Sequence, residues 1–395
     1  MIYDVVIIGA GIVGLATGRQ ILINKPKLKV LIIEKESGVA YHQTGRNSGV
    51  IHSGIYYKPG NAKAAMAKAG NKSLKEYCEL KDIPFKNIGK FIIAHTPLEI
   101  DGLKSLQKRA EVNKINHCWM AQSEINEIEP NVTASAALNL PDTAIVDYKL
   151  VSESILKDIL EMGGEIYFGE TLLSVENDKV IKTNNRDIKY KFAINCAGLY
   201  SDKVALKFIE KIDVKIIPFR GEYFQLKSKK SNLIQSMIYP VPNPDFPFLG
   251  VHFTPMMDGS IHVGPNAVLA LAREGYRWNE INPIELIETL TYSGTLKLAQ
   301  KYIKVGIEEV VRSLSKKLFH KTVQRMIPSI TIDDLIPSKA GVRAQALLPN
   351  GELVDDFKFV FGKNSLHVLN APSPAATASL EIARFIGEKI KSIQL

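Results

Sequence analysis

Residues 4–14 read DVVIIGAGIVG, and twenty residues past Gly14 stands Glu34, closing a second apolar run, KVLIIEK. Residues 5–8 supply an apolar strand and residues 12–22 a helical apolar pattern. The spacing therefore predicts a strand, a tight glycine turn, a helix and a second strand. That unit binds an ADP moiety. Gly9 allows the sharp turn out of the strand. Gly11 has no side chain, so a pyrophosphate can approach the backbone, and Gly14 lets the helix pack closely on the sheet. The helix N-terminus offers amides and a partial positive charge to the phosphates. Glu34 is placed to accept hydrogen bonds from ribose hydroxyls, and an acid there argues against NADP. Lys35, beside it, joins the expected cofactor-binding set. The motif does not separate FAD from NAD, but its place at the start of the chain is that of many flavoproteins.

At 395 residues and 46% hydrophobic content, the chain is long enough for two packed lobes. Its formal charge of +9 comes from 50 basic and 41 acidic residues. That balance suits an anionic ligand or a membrane surface. The basic residues are dispersed, with no arginine-rich block and no aromatic-basic module, so no nucleic-acid partner is expected. Cys78, Cys118 and Cys196 are isolated, form no CxxC and join no histidine at zinc spacing. No metal site is expected, and a reducing compartment, the cytoplasm, fits best. The apolar stretch after Met1 lacks a basic segment before it and is interrupted by the turn glycines, so it reads as structure rather than as a secretion signal. No run of about twenty apolar residues predicts a membrane span.

After the first unit comes a polar, glycine-rich loop at 37–60, then predicted helices at 62–80 and 99–116 with a strand at 91–94 between them. An amphipathic helix is expected at 149–162, ended by Gly163-Gly164. The segment KFAINCAGLYSD at 191–202 reads as a strand entering a small-residue turn before another helix. It is a second place where backbone, at Ala197 and Gly198, could approach the dinucleotide. From 216 to 268 the pattern changes to strands broken by Pro and Gly (IIPFRGEYFQL, MIYPVPNP, FLGVHFTP, SIHVGPNA), which predict an antiparallel sheet. A long helical region is expected at 283–326. The last part returns to strands (VRAQALL, FKFVFG, LHVLN) and a final helix starting near Pro374.

The loop at 42–57, HQTGRNSGVIHSGIYY, lies just past the acidic strand end, where ligands bind in open α/β sheets. Thr44, Arg46, Asn47 and Ser48 would offer polar groups to a cofactor, Gly49 and Gly54 would permit close approach, and His52 could face the reacting centre. Taken alone, a well-ordered surface loop with a hydrogen-bonded histidine explains the same residues.

Seven segments carry a resemblance: the fingerprint at 9–14, TGRNSGVIHSGIYY at 44–57, NCAGLYSD at 195–202, RGEYF at 220–224, GVHFTP at 250–255, GPNAVLALAREGY at 264–276 and KAGVRAQ at 339–345. In order and over nearly the whole chain, the sequence resembles the L-2-hydroxyglutarate oxidases and dehydrogenases, of the D-amino-acid-oxidase-like FAD enzymes. The resemblance implies an α/β fold, with a Rossmann-type FAD-binding domain (1–85, 145–215 and 336–395) and a second domain built on an antiparallel β-sheet flanked by helices (86–144 and 216–335). It implies FAD as cofactor and oxidation of L-2-hydroxyglutarate to 2-oxoglutarate. It also implies that NAPSPAAT at 370–377, including Pro374, Ala375, Ala376 and Thr377, brings a helix N-terminus to the pyrimidine side of the flavin. Relatives of the sarcosine-oxidase type hold flavin through a cysteine in the C-terminal half. The last cysteine here is Cys196, so FAD is expected to be non-covalent, with a histidyl link left open.

Such a reaction needs a base for the substrate hydroxyl, a cation for its carboxylates and a Cα–H facing flavin N5. His52 and His252 are the candidate bases, and Arg343 is the leading carboxylate clamp. Tyr57, Tyr223 and Arg220 are weaker candidates for orienting the dicarboxylate. His262 reads as structural, and His42, His95, His117 and His320 as ordinary residues. Quinone or oxygen would reoxidise the flavin. Glycerol-3-phosphate, an amino acid, or a flavin-binding assembly role without turnover remain as alternatives. The basic amphipathic run at 297–325, with Ile303, Ile307, Val310, Val311, Leu314 and Leu318 at helical spacing, admits peripheral contact with the inner face of the cytoplasmic membrane. A helix packed on its own domain with a solvated basic face explains it as well, and Glu308 and Glu309 interrupt the basic stripe.

Overall fold

The computed structural model describes residues 1–242 and 250–391. The predicted strand segments that run into 243–249 lie outside the described residues there. The N-terminal apolar run forms the strand Ile2–Ile8, which lies between Val30–Glu34 and Asp187–Asn195 with parallel pairing on both sides. Glu165–Phe168 and Ser365–Asn370 extend the parallel sheet outward. Antiparallel strands Leu172–Glu176, Val180–Thr183 and Lys358–Phe361 complete eight strands. Strands buried on both faces must be apolar at every position rather than at alternate ones, which is why 5–8 and 30–33 read as unbroken runs. Helix Ile12–Asn24 is buried along most of its length, packed on the sheet and against helices Tyr148–Glu161 and Ser379–Ile390. Val5, Ile7, Leu15, Ile32, Ile194 and Leu366 share this core. Each fully buried aliphatic side chain contributes about 1.5–3 kcal/mol.

The second eight-stranded sheet runs Leu335–Pro337, Phe224–Leu226, Ile261–Gly264, His252–Pro255, Met237–Pro240, Lys90–Ala94, Ala136–Leu140, Cys118–Ala121. It differs from the antiparallel expectation in two ways. Met237–Pro240 pairs parallel with Lys90–Ala94, a strand brought in from far earlier in the chain. The segment Lys215–Gly221 leaves this sheet and pairs instead with Gly341–Leu347 and Val268–Leu269. A fourth sheet, of three strands like the last, joins Val50–Ile51, Ala144–Val146 and Phe85–Asn87.

Helix boundaries moved where caps decide them. The helix expected at 99–116 spans Pro97–Val112, because Thr96 and Glu99 form a reciprocal capping box and Lys114 takes a left-handed φ of 53° just past its end. The long region at 283–326 is three helices, Pro283–Leu290, Ser293–Leu314 and Lys316–Gln324. The last is started by Ser315, whose Oγ accepts from Leu318 N. The final helix begins at Ser379, not near Pro374. Residues 372–378 instead make successive turns, with Ala375 N donating to Pro372 O and Ala378 N to Pro374 O, each at 2.9 Å.

Candidate active site

One cleft of about 1930 Å³ runs from the glycine turn to the second sheet. At its first end the three glycines answer to different neighbours. Gly9 sits at φ 105°, and a Cβ on it would lie 2.7 Å from Cys196 O. A Cβ on Gly14 would lie 2.1 Å from Gly9 O. The chain's own packing demands both. On Gly11 a Cβ would meet only Thr44 Oγ1, at an ordinary 3.4 Å, so nothing in the protein requires glycine there. The open space beside Gly11 belongs to the cleft, which suits a pyrophosphate against the backbone. Helix Ile12–Asn24 has no acid in its first turn and no cap from Gly11, so its positive end is not neutralised by an acid of that turn. Thr44 Oγ1 accepts from Ile12 N at 3.1 Å. Glu34 lies on the cleft wall, with its oxygens accepting from Ala10 N at 2.7 Å and Glu36 N at 3.0 Å, which fixes the carboxylate toward the nucleotide site. The residues present therefore fit the ADP half of FAD.

Several side chains expected to touch the cofactor line the cleft and also hold its walls in shape. The Asn47 amide donates to Gln43 O and Thr44 O, and its oxygen accepts from Gly49 N at 2.7 Å. Arg46 Nε donates to Tyr41 O, with its guanidinium 4.0 Å above the Tyr276 ring. Lys35 Nζ pairs with Glu36 and, at 2.6 Å, with Glu274. The Thr377 hydroxyl accepts from His52 N at 3.1 Å and donates to Val50 O at 3.2 Å, pinning the 370–377 segment to the loop. Gly49 and Gly198 take φ of 67° and 52°, as their turns require. Ser48, Ala197, Gly198, Pro374, Ala375 and Ala376 line the cleft. His42, expected to be ordinary, also lies on the wall, with Nε2 2.9 Å from Glu36 and Nδ1 2.6 Å from the Tyr276 hydroxyl. Glu36, His42 and Glu274 lie close enough together to hold a metal ion, and the Lys35 ammonium pairs with both carboxylates. Burial pushes the Cys196 thiol up to about 12, so it is not a nucleophile at neutral pH.

At the far end, residues from separate strands converge. His52, Tyr57, Tyr223, His252 and Arg343 all line the cleft. His252 stacks on Tyr239 with ring centroids 3.7 Å apart, and its Nδ1 lies 2.9 Å from Gly250 O. A carbonyl can only accept, so Nδ1 carries the hydrogen and Nε2 keeps its lone pair. Burial, with Arg343 and Lys90 as neighbouring cations, brings the His252 imidazole down to about 3. Burial, then Lys90 and His252, hold His52 well below the usual histidine range. Both rings are neutral at pH 7 and can accept a proton. Arg343 pairs in register with Phe219, and its charge faces Tyr223 and Tyr239. Arg220 does not reach the cleft: it is fully buried, 4.2 Å over the Trp278 ring and 3.1 Å from Glu222. His262 lies against Tyr223 behind the wall.

Lys90, Tyr56 and Tyr239 were not singled out in the sequence. Lys90 has no exposed surface, yet stands at the head of an apolar strand where a lysine reads as an ordinary end residue.

The family model for FAD dependent oxidoreductases matches residues 4–389. L-2-hydroxyglutarate dehydrogenase of Indibacter alkaliphilus is 48% identical over 98% of each chain. The mitochondrial L-2-hydroxyglutarate dehydrogenase of Homo sapiens is 42% identical over 98% of this chain and 89% of its own. Among solved structures, FAD-bound L-alpha-glycerophosphate oxidase from Mycoplasma pneumoniae superimposes with a TM-score of 0.79 at 24% identity, covering 97% of this chain and 93% of that one. Glycine oxidase from Geobacillus kaustophilus gives 0.74 at 14% identity, covering 98% and 94%. The chain belongs to the FAD-dependent oxidoreductase family, and within it groups with the L-2-hydroxyglutarate dehydrogenases.

Proposed function

We propose that this protein oxidises L-2-hydroxyglutarate to 2-oxoglutarate, with Arg343 binding a carboxylate and His252 or His52 taking the hydroxyl proton. The observation that carries this reading is the meeting of two neutral imidazoles and a guanidinium at the end of the cleft opposite the ADP turn. Bound FAD supplies the hydride acceptor. His252 offers Nε2 because Gly250 O holds its other nitrogen protonated. Arg343 presents a fork that matches a carboxylate bidentately, and Tyr57 and Tyr223 orient the substrate from the same wall. The charged neighbours of His252 are both cations, which suits a dianion. Asp355, an acid whose charge acts on Tyr57, pairs with Lys63 at 3.4 Å. Division into an FAD-binding domain (1–85, 145–215, 336–395) and a substrate domain (86–144, 216–335) belongs to this proposal. The parallel sheet draws its strands from the first set of segments alone. Dye-coupled turnover on L-2-hydroxyglutarate, D-2-hydroxyglutarate, glycerol-3-phosphate and amino acids tests the substrate. Preference for any of the others by kcat/KM contradicts it.

We also propose a quinone at an anionic membrane surface as electron acceptor. Among the described residues no helix is long and apolar enough to cross a membrane. In helix Ser293–Leu314, however, Ile303, Ile307, Val311 and Leu314 are 59, 59, 46 and 67% exposed. Lys301 and Lys304 stand exposed among them. A helix packed through its apolar face would have buried these residues, and a contiguous exposed apolar face ringed by lysine suits a lipid surface. Glu308, Glu309 and Arg312 of the same helix line the cleft, so the surface and the site are adjacent. Sedimentation with anionic but not neutral vesicles is expected. No sedimentation with either would leave oxygen as the acceptor.

A further inference from the structure

Lys90 lies wholly inside the protein. Its Nζ has no hydrogen-bond partner among the described residues. The ammonium stands 4.6 Å from the centre of the Tyr56 ring and 5.0 Å from that of Tyr239. Tyr239 in turn stacks on His252 at 3.7 Å. A buried, unpaired amine is among the costliest groups a fold can carry, and burial pulls this one down to about 7. A methionine would fill the same space without that cost, so packing does not explain a lysine.

We propose that Lys90 is a positioning residue, which orients His252 through Tyr239 and sets a positive charge behind the His52 and His252 end of the cleft. Cation–π contacts to the two tyrosines hold the rings that form the wall behind His252. The groups that face His252 are Lys90 on strand Lys90–Ala94, Arg343 on strand Gly341–Leu347, His52 past Val50–Ile51, Tyr239 on Met237–Pro240 and the Gly250 carbonyl. Lys90 and Arg343 act in the same sense, against a second positive charge. Lys90 differs from Arg343 in one respect: it does not line the cleft and cannot be neutralised by a substrate carboxylate. The pair therefore divides the work, Arg343 binding substrate and Lys90 retaining its influence while substrate is bound.

The proposal rests on the reading of this end of the cleft as the reacting site, and its test does not require turnover. The flavin-loaded protein carrying 13Cε1-labelled histidine is titrated by NMR without substrate, as wild type, Lys90→Met and Lys90→Arg. The His52 and His252 signals are assigned by single substitutions. The expected result is an upward move of the protonation onset of one or both by about one pH unit in Lys90→Met, with wild-type behaviour in Lys90→Arg. Unchanged signals in Lys90→Met overturn the proposal, as does an equal shift in Lys90→Arg. If Lys90→Met does not load flavin, Lys90→Gln replaces it against the same two comparators. Loss of flavin from both neutral variants but not from Lys90→Arg assigns Lys90 to structure alone and also overturns it. Failure of L-2-hydroxyglutarate to reduce the wild-type flavin would contradict the substrate reading and leave the titration result intact.

Discussion

The two ends of the cleft are built in opposite ways. The nucleotide end is written in one stretch, residues 2–34, where three glycines and an acid follow each other at fixed spacing. The reacting end draws single residues from distant places, at 52, 90, 239, 252 and 343, and no two of them share a strand. A backbone-based site is specified locally because the chain's own turns make it. A side-chain-based site exists only once the second sheet has assembled. Damage at the first end should therefore cost cofactor or fold, and damage at the second should cost rate or affinity with cofactor retained.

The largest break in that comparison is expected at Gly14. Gly14→Val places carbon where Gly9 O already sits, and soluble, folded protein should be lost from expression trials. A Cβ on Gly11 meets only Thr44 Oγ1 and borders the cleft, so Gly11→Val should fold with a near wild-type circular dichroism spectrum and no FAD absorbance. Normal flavin content in that variant would remove Gly11 from the pyrophosphate site. At the other end, His252→Ala should slow flavin reduction by about 10²–10⁴-fold with flavin content unchanged, as measured by anaerobic stopped flow. Equal losses of flavin and rate would mark it as structural. Arg343→Lys keeps the charge but loses the fork, so KM should rise by about tenfold or more with a smaller change in kcat.

The smallest expected effect is on stability. Buried His252 and His367 are pulled down to about 3 and about 4, so from the ordinary 6.5 downward the unfolded chain binds more protons than the folded one. Their contribution is fully present above about 6.5 and is lost as pH falls toward the folded values. A Tm lower at pH 5 than at pH 7.5 is expected, with a flat profile between pH 7 and 8 as far as these two groups decide it.

The same contrast explains what could be read in advance. The first unit, the helix Ala62–Leu80 and the turn at 195–202 were legible because periodicity and glycine placement are local. The departure of Lys215–Gly221 to a different sheet was not, since strand partners are chosen by tertiary packing. The side chains of Arg46, Asn47 and Thr377, expected at the cofactor, line the cleft, and their hydrogen bonds to the chain shape the loop, which composition does not reveal. Lys90 was missed because a lysine beside an apolar run carries no mark that tells burial from a solvated strand end. The exposed apolar side of Ser293–Leu314 shows the converse, a readable periodicity whose orientation only the fold decides.

The most direct measurement is the visible spectrum of the purified protein under anaerobic conditions, before and after L- or D-2-hydroxyglutarate. A yellow flavin that bleaches with the L isomer and not the D isomer is expected. A flavin that stays oxidised with the L isomer would contradict the substrate reading, and a colourless protein that FAD cannot reconstitute would contradict the cofactor site itself.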